Sequence, residues 1–233
     1  MFSKFYKKLN IGVKMDKLTE EFAKSLIVST EDGIKDFLEL GIDSFIEDGV
    51  LRDIPIVNSI VSGLKFAKNI YDRNLLRRTL EFINELNNGT LNKERLIAYS
   101  STIVNNSKKC EEELGRVLIY LNSFVDKEKS IMLAKVYKAY ITQKINWDEF
   151  CEFAEIISKI FIQDIQILRK IKDSDMDLIV SQDDNYRLER LHSLGLVRIS
   201  FNPLTWGDIK DGHINSVRTI SSLGKKFYKL SCY

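Results

Sequence analysis

Apolar residues recur every three or four positions along most of this chain, the spacing that lines one side of an α-helix. The longest such pattern runs from Asp53 to Leu86. Asp53 is a helix-capping residue, and Pro55 falls in the first turn, where a missing N–H costs nothing. Ile56, Val57, Ile60, Val61, Leu64, Ala67, Ile70 and Tyr71 follow at helical spacing, then Leu75, Leu76, Leu80, Ile83 and Leu86. Asn87, Asn88 and Gly89 supply a stop. No charge occurs from Ile54 to Leu64, which predicts a buried central helix. Lys65, Lys68, Arg73, Arg77 and Arg78 predict a partly solvated extension with a basic outer face.

Other stretches repeat the pattern. Lys17 to Val28 reads as a short helix with Leu18, Phe22, Leu26 and Ile27 on one side. Ser29 or Thr30 then caps a one-sided helix with the stripe Ile34, Phe37, Leu38, Gly41, Ile42, Phe45 and Ile46. Thr90 to Asn106 is helical with a weaker pattern, and Ser107 restarts it toward Leu114, Val117, Leu118, Leu121 and Phe124. Lys108, Lys109 and Glu111 to Glu113 read as a charged outer face. Asp126 and Asn146 cap two further helices. The first should bury Met132, Leu133, Val136, Tyr137, Tyr140 and Ile141. The second should bury Phe150, Phe153, Ala154, Ile157, Ile160 and Phe161. After a helix to about Ile171 and a polar connector, Asp183 or Asp184 caps a short helix that Gly195 ends. Leu196 to Phe201 alternates as a strand, Asn215 to Ile220 returns, and a last helix starts at Ser221. The expected architecture is mainly α: a basic lead over 1–15, a helical body over 16–162, and a small α+β domain over 163–233.

Composition narrows the class. Two prolines and eleven glycines in 233 residues leave few helix breakers, and 44% hydrophobic residues suffice for a core. The net charge of +2 gives no global push toward nucleic acid or anionic membrane. Charge is nonetheless placed in blocks. Asp16 to Asp53 holds eleven acids against four bases, and Ile54 to Lys109 nine bases against four acids. Such blocks either pair with each other across a helical hairpin or offer a basic surface to an acidic partner. The three cysteines are far apart and odd in number, which reads as reduced thiols of a cytoplasmic protein. No secretory h-region is visible, and no apolar run approaches the ~20 residues of a membrane span.

The stretch Leu188-x-x-Leu191-x-x-x-Gly195-Leu196-Val197, then a hairpin, then Thr219-Ile220-Ser221-x-x-Gly224-x-x-Phe227, resembles the winged-helix family. The resemblance covers about the last seventy residues. It implies that the helix Asn185 to Gly195 stands where the family places its recognition helix, ahead of a two-stranded wing, and that Arg187, Arg190, Arg198 and Arg218 are candidate nucleic-acid contacts. Asp183, Asp184 and Glu189 on or beside that helix make it a poor supplier of phosphate-neutralising charge, so a protein contact fits equally. The whole chain is also similar to small bacterial phage-defence proteins of the Abi-alpha type. That impression is carried by Asp48-Gly49-Val50-Leu51-Arg52-Asp53-Ile54-Pro55-Ile56-Val57, Asn69 to Arg73 and Lys135 to Ile141. It implies a bacterial defence setting and no catalytic residues.

No catalytic, cofactor or metal site is expected. His192 and His213 are the two histidines, and no Cys-x-x-Cys, His-x-x-x-His, Walker loop, G-x-G-x-x-G or G-x-S-x-G occurs. Lys138 to Glu149 matches a calcium loop only at Ile145 and Glu149, with Gln143 at the turn glycine, so it reads as a plain helix–turn–helix connection. Three readings follow. The first is a non-enzymatic bacterial cytosolic interaction protein, a component of phage defence, that meets a protein partner or itself. The second is a DNA-binding transcriptional regulator. The third is a membrane-active effector using the apolar segment 54–64 without a stable span.

Overall fold

The computed structural model describes residues 12–27, 34, 54–63, 70–88, 93–173, 185–201 and 216–232. Of these residues 81% are helical, in ten helices, with one two-stranded antiparallel sheet near the C-terminus. The order is α1 (Gly12–Ser25), α2 (Pro55–Gly63), α3 (Ile70–Asn87), α4 (Lys93–Val104), α5 (Ser107–Ser123), α6 (Lys127–Ile141), α7 (Trp147–Lys159), α8 (Ile162–Asp173), α9 (Asn185–Ser193), β1 (Val197–Phe201), β2 (Ser216–Ile220) and α10 (Ser222–Ser231). The expectation of a mainly helical chain with a small C-terminal α+β element therefore holds. Two compact units divide within α7, as Met1–Phe150 and Cys151–Tyr233, whereas the sequence reading set its boundary at 162. Residues 1–11 of the N-terminal lead, the helix after Ser29 apart from Ile34, the connector 174–184 and the hairpin loop 202–215 lie outside the described residues, while residues 12–15, which the sequence reading set in the lead, begin α1.

In the first unit α3 packs on α6 and α5, and α1 packs on α5, α2 and α4. The uncharged stretch starts α2 as expected, and Ile54, Ile56, Val57 and Ile60 are buried. The Ile56 N–H donates to Ser25 Oγ at 2.9 Å, tying α2 to the end of α1. The extension is more central than its charge suggested. Over two turns α3 is buried almost all round, through Leu76, Arg78, Thr79, Leu80, Glu81, Phe82, Ile83 and Leu86. Arg78 is therefore a core residue and not part of the basic outer face. Its Nη1 donates to Glu81 Oε2 at 2.6 Å, its Nε to the Phe124 carbonyl at 3.4 Å, and its Nη2 to the Val125 carbonyl. Those carbonyls follow the last turn of α5, whose C-terminal acceptors need donors. The start of α3 departs in the other direction: Ile70 and Tyr71 are 81% and 74% exposed, although spacing put them on the apolar face.

Local signals fix several boundaries. Asn146 Oδ1 accepts from the Glu149 N–H at 2.9 Å, and Glu149 Oε2 accepts from the Asn146 N–H at 3.1 Å, a reciprocal capping box at the start of α7. Gln143, the calcium-loop mismatch, has φ 59° in the tight α6–α7 turn. Asn106 caps α5 through its side chain, while Asp126 precedes α6 without a side-chain cap bond.

In the second unit α8 packs on α9, β2 and α10, and α9 packs on β1. β1 and β2 pair antiparallel with Val197 opposite Ile220 and Arg198 opposite Thr219. Gly195 has φ 73° and ends α9, as a left-handed C-terminal glycine does. Ser221 Oγ accepts from the Gly224 N–H at 2.8 Å and donates to the Gly195 carbonyl at 2.6 Å. The Ser-x-x-Gly turn thus locks onto the Gly-Leu-Val turn.

Candidate contact surface of the second unit

Asp164 begins the construction. It occupies the buried stripe of α8, three positions before Ile167 and four before Leu168, and is fully buried. A buried carboxylate requires a partner. Arg190 of α9 supplies it in a bidentate pair, Nε to Oδ2 at 2.9 Å and Nη2 to Oδ1 at 2.6 Å. That pairing raises the Arg190 pKa further above its ordinary value. The guanidinium carbon also lies 4.6 Å from the Phe161 ring centroid and 4.9 Å from the Tyr186 centroid. Arg187 lies 5.6 Å from the Tyr186 centroid, and its Nε donates to the Tyr186 hydroxyl at 3.0 Å. Phe161, Arg190, Tyr186 and Arg187 therefore form an alternating aromatic–cation ladder anchored on Asp164. Phe161 and Tyr186 remain 55% and 51% exposed. Spacing had put Phe161 inside; α7 ends at Lys159, and the turn into α8 carries the ring outward.

The four arginines singled out from the sequence do not act as one cluster. Arg187 and Arg190 belong to the ladder. Arg218 reaches the start of the same helix, donating from Nη2 to Asn185 Oδ1 at 3.0 Å. Its Nε is buried with no hydrogen bond among the described residues. Arg198 is placed elsewhere by the strand register. Opposed residues share a face and neighbours alternate, so Arg198 lies with Ser200 and Thr219 on the exposed face. Arg218 lies with Val197, Ile199 and Ile220 on the other. His192 Nδ1 shares a hydrogen bond with the Val197 carbonyl at 2.9 Å, an edge role in the α9–β1 turn.

Sequence reading missed Asp164, Tyr186 and the exposure of Phe161. A signal existed for the first: an acid at an apolar position of an otherwise regular stripe.

A second polar group, in the first unit, was also missed. Glu113 was assigned to a charged outer face but is buried. Tyr140 donates to its Oε1 at 2.7 Å and Tyr99 to its Oε2 at 2.6 Å, while Tyr137 hydrogen-bonds to the Tyr99 hydroxyl. Lys109 stands 3.5 Å from Oε1. The tyrosine rings pack edge-on and tilted on one another, and Tyr140 and Tyr137 continue to Trp147 and Phe150. Burial pushes the Tyr99 and Tyr137 hydroxyls well above their ordinary pKa. These bonds saturate the carboxylate from three helices, so the group cross-links α4, α5 and α6.

Among the described residues no set of three or more His, Cys, Asp or Glu side chains is placed to hold a metal ion, and no helix is long and apolar enough to cross a membrane. No family model, curated protein or solved structure matches the chain.

Proposed function

We propose that this chain is a non-enzymatic interaction protein that engages a protein partner through the aromatic–arginine ladder of its second unit. The exposed Phe161 and Tyr186 rings flanking Arg190 carry the reading. Aromatic residues and arginine are the residue types that concentrate binding energy at protein interfaces, and rigid anchors lose little entropy on binding. Arg190 is held by two hydrogen bonds and two rings before any partner arrives. The same bonds direct Nε and Nη2 at Asp164, which makes Arg190 a poor phosphate ligand. The bacterial cytosolic setting and a role in phage defence rest on the resemblances given above. The membrane-effector reading is the weaker one, since the residues it would release, Ile54, Ile56, Val57 and Ile60, fill the core of the first unit.

The test compares tagged full-length protein with Phe161→Ala/Tyr186→Ala in the native cell. One partner should be recovered with wild type and with Arg198→Ala, lost at least tenfold with the ladder variant, and bind purified wild type directly. Protection against phage plating should fall with the same variant. Equal recovery by the ladder variant would remove the surface from the proposal. A catalytic turnover abolished by changing one polar side chain would remove the non-enzymatic reading.

A further inference from the structure

Arg190 meets Asp164 with only part of its donor set. A guanidinium group is planar and carries its N–H donors along two forked edges. The edge made by Nε and Nη2 closes on Asp164, at 2.9 and 2.6 Å. Those two bonds leave Nη1 and one N–H of Nη2 to the second edge, which faces away from the carboxylate. The Phe161 and Tyr186 rings stack on the group at 4.6 and 4.9 Å, so the outer edge is the way in for a ligand. The Asp164 side chain is 1% exposed and that of Arg190 34%, so the pair opens to solvent on the arginine side.

A planar fork of this kind matches a carboxylate, whose two oxygens accept parallel N–H bonds. Charge selects the same ligand. A carboxylate at the outer edge adds one negative charge beside that of Asp164, whereas a phosphate monoester adds about −1.5 to −2 on the same guanidinium. Within the ladder the Arg187 and Arg190 guanidiniums stand against the single carboxylate of Asp164. Glu189 falls on the other flank of α9. It follows Asn185 by four residues and precedes His192 by three, and those side chains meet Arg218 of β2 and the Val197 carbonyl of β1. Apolar surface borders the edge on both sides, since Phe161 and Tyr186 are half-exposed.

We infer that the outer edge of Arg190 binds a carboxylate side chain of an acidic peptide segment, with a neighbouring apolar residue of that segment seated on the Phe161 and Tyr186 rings. The inference rests on the proposed role of the ladder as a partner surface and names the chemistry of that partner: Asp or Glu beside an aliphatic or aromatic residue. Asp164 and the two rings fix the guanidinium plane before binding, so its ordering is not charged against the complex.

The experiment screens displayed random-sequence peptides on the full chain, in parallel with the Phe161→Ala/Tyr186→Ala variant. The most enriched sequence is then measured as a synthetic peptide by fluorescence anisotropy. Enriched peptides should share Asp or Glu next to an apolar residue and should need the ladder. Exchanging that acid for its amide should weaken binding by about tenfold or more, the loss of a charge-assisted pair. Phosphoserine in its place should also bind more weakly. Asp164→Asn/Arg190→Gln removes the fork without stranding a buried charge, and should erase the difference between acid and amide peptides. The acid-to-amide comparison leaves the protein untouched and decides alone if that variant does not fold. Three results overturn the inference while leaving the ladder as a partner surface: ladder-dependent peptides with no acid in common, an acid replaced by its amide without loss, or tighter binding of phosphoserine. Absence of any enriched peptide overturns it as well, because a short segment should suffice; recovery of a native partner through the ladder is a separate readout. Enriched peptides that bind the ladder variant equally overturn it together with the ladder as the contact surface.

Discussion

Two helical glycines offer a test in which local propensity and packing make opposite predictions. A Cβ built on Gly224 would stand 2.1 Å from the Leu196 carbonyl oxygen and 2.9 Å from both the Leu196 carbonyl carbon and Ile220 Cγ1. Ordinary contact begins at about 3.4 Å, so α10 would have to withdraw by more than about 1 Å. The same Leu196 oxygen accepts from the Ser221 N–H at 3.0 Å, and withdrawal weakens that bond. Overpacking costs about 1–3 kcal/mol and the hydrogen bond about 1, against at most about 1 kcal/mol gained from replacing glycine in a helix. Gly224→Ala should therefore destabilise by about 1–3 kcal/mol. At Gly115, within α5, the nearest atom to a built Cβ is Thr19 Cγ2 at an unstrained 3.7 Å. Gly115→Ala should stabilise by about 0.5–1 kcal/mol. The chain forms two compact units, so urea denaturation should be paired with amide hydrogen exchange, which reads each unit by itself. Protection should fall at Val197–Phe201 and Ser216–Ile220 in one variant and rise along α5 in the other. Stabilisation by both substitutions would show that propensity decides and would refute the packing argument.

Two further substitutions and one titration extend the reasoning. Arg78→Ala leaves Glu81 buried without its main partner and the Val125 carbonyl without the Arg78 donor, while Asn74 still serves the Phe124 carbonyl, and should cost about 3–5 kcal/mol in urea melts; Arg78→Met/Glu81→Leu should recover most of it. Tyr99 and Tyr137 have folded pKa values raised above the usual 10.0, so their contribution is complete below pH 10 and is lost as pH rises past it, by up to about 2.7 kcal/mol per pH unit for the pair. Cys110, raised by burial, acts with the same sign from pH 9.0. Lys129 and Lys138, lowered by desolvation, act oppositely but only up to 10.5; above that pH Cys110 and Lys24, both raised, add to the slope of the tyrosines. Stability measured from pH 10.5 to 11.5 should fall less steeply in Tyr99→Phe, by up to about 1.4 kcal/mol per pH unit, and an unchanged slope would dissociate that tyrosine from the effect.

Helix positions were legible in this chain because apolar spacing and capping residues are local quantities. Asn146, Gly195 and Ser221 each close hydrogen bonds within a few residues, and the structure uses them as the sequence suggested; Glu149, read only against a calcium loop, completes the Asn146 cap. The errors fell on charged residues and on the ends of stripes. Arg78 and Glu113 were read as outward because charge was taken as evidence of solvent. Both are buried because partners distant in sequence, Val125 for one and Tyr140 for the other, satisfy them. Ile70 and Phe161 were read as inward because their spacing was right, but each stands at or beside a helix end and is exposed.

The misplaced charges nevertheless share a pattern that sequence does show. Glu113 lies four residues before Val117 and one before Leu114, and Asp164 lies three before Ile167; each holds a position of its helix's apolar stripe. An acid there is either an error in register or the centre of a polar cross-link, because burying an unpaired carboxylate costs several kcal/mol. What the acid does next depends on its partner's reach. Glu113 meets tyrosines whose hydroxyls end inside the helical layer, so its network stays within the core and acts on stability. Asp164 meets an arginine long enough to extend to the surface, with a third of the Arg190 side chain still exposed. The same desolvation requirement that makes one acid a core cross-link therefore makes the other an anchor, and it fixes Arg190 between two exposed rings. If that reasoning is right, Asp164→Asn should weaken partner binding with Phe161 and Tyr186 intact, since rings without a fixed cation between them lose their common geometry. Arg190→Lys should weaken it similarly, because an ammonium cannot hold both carboxylate oxygens in the plane that the rings require.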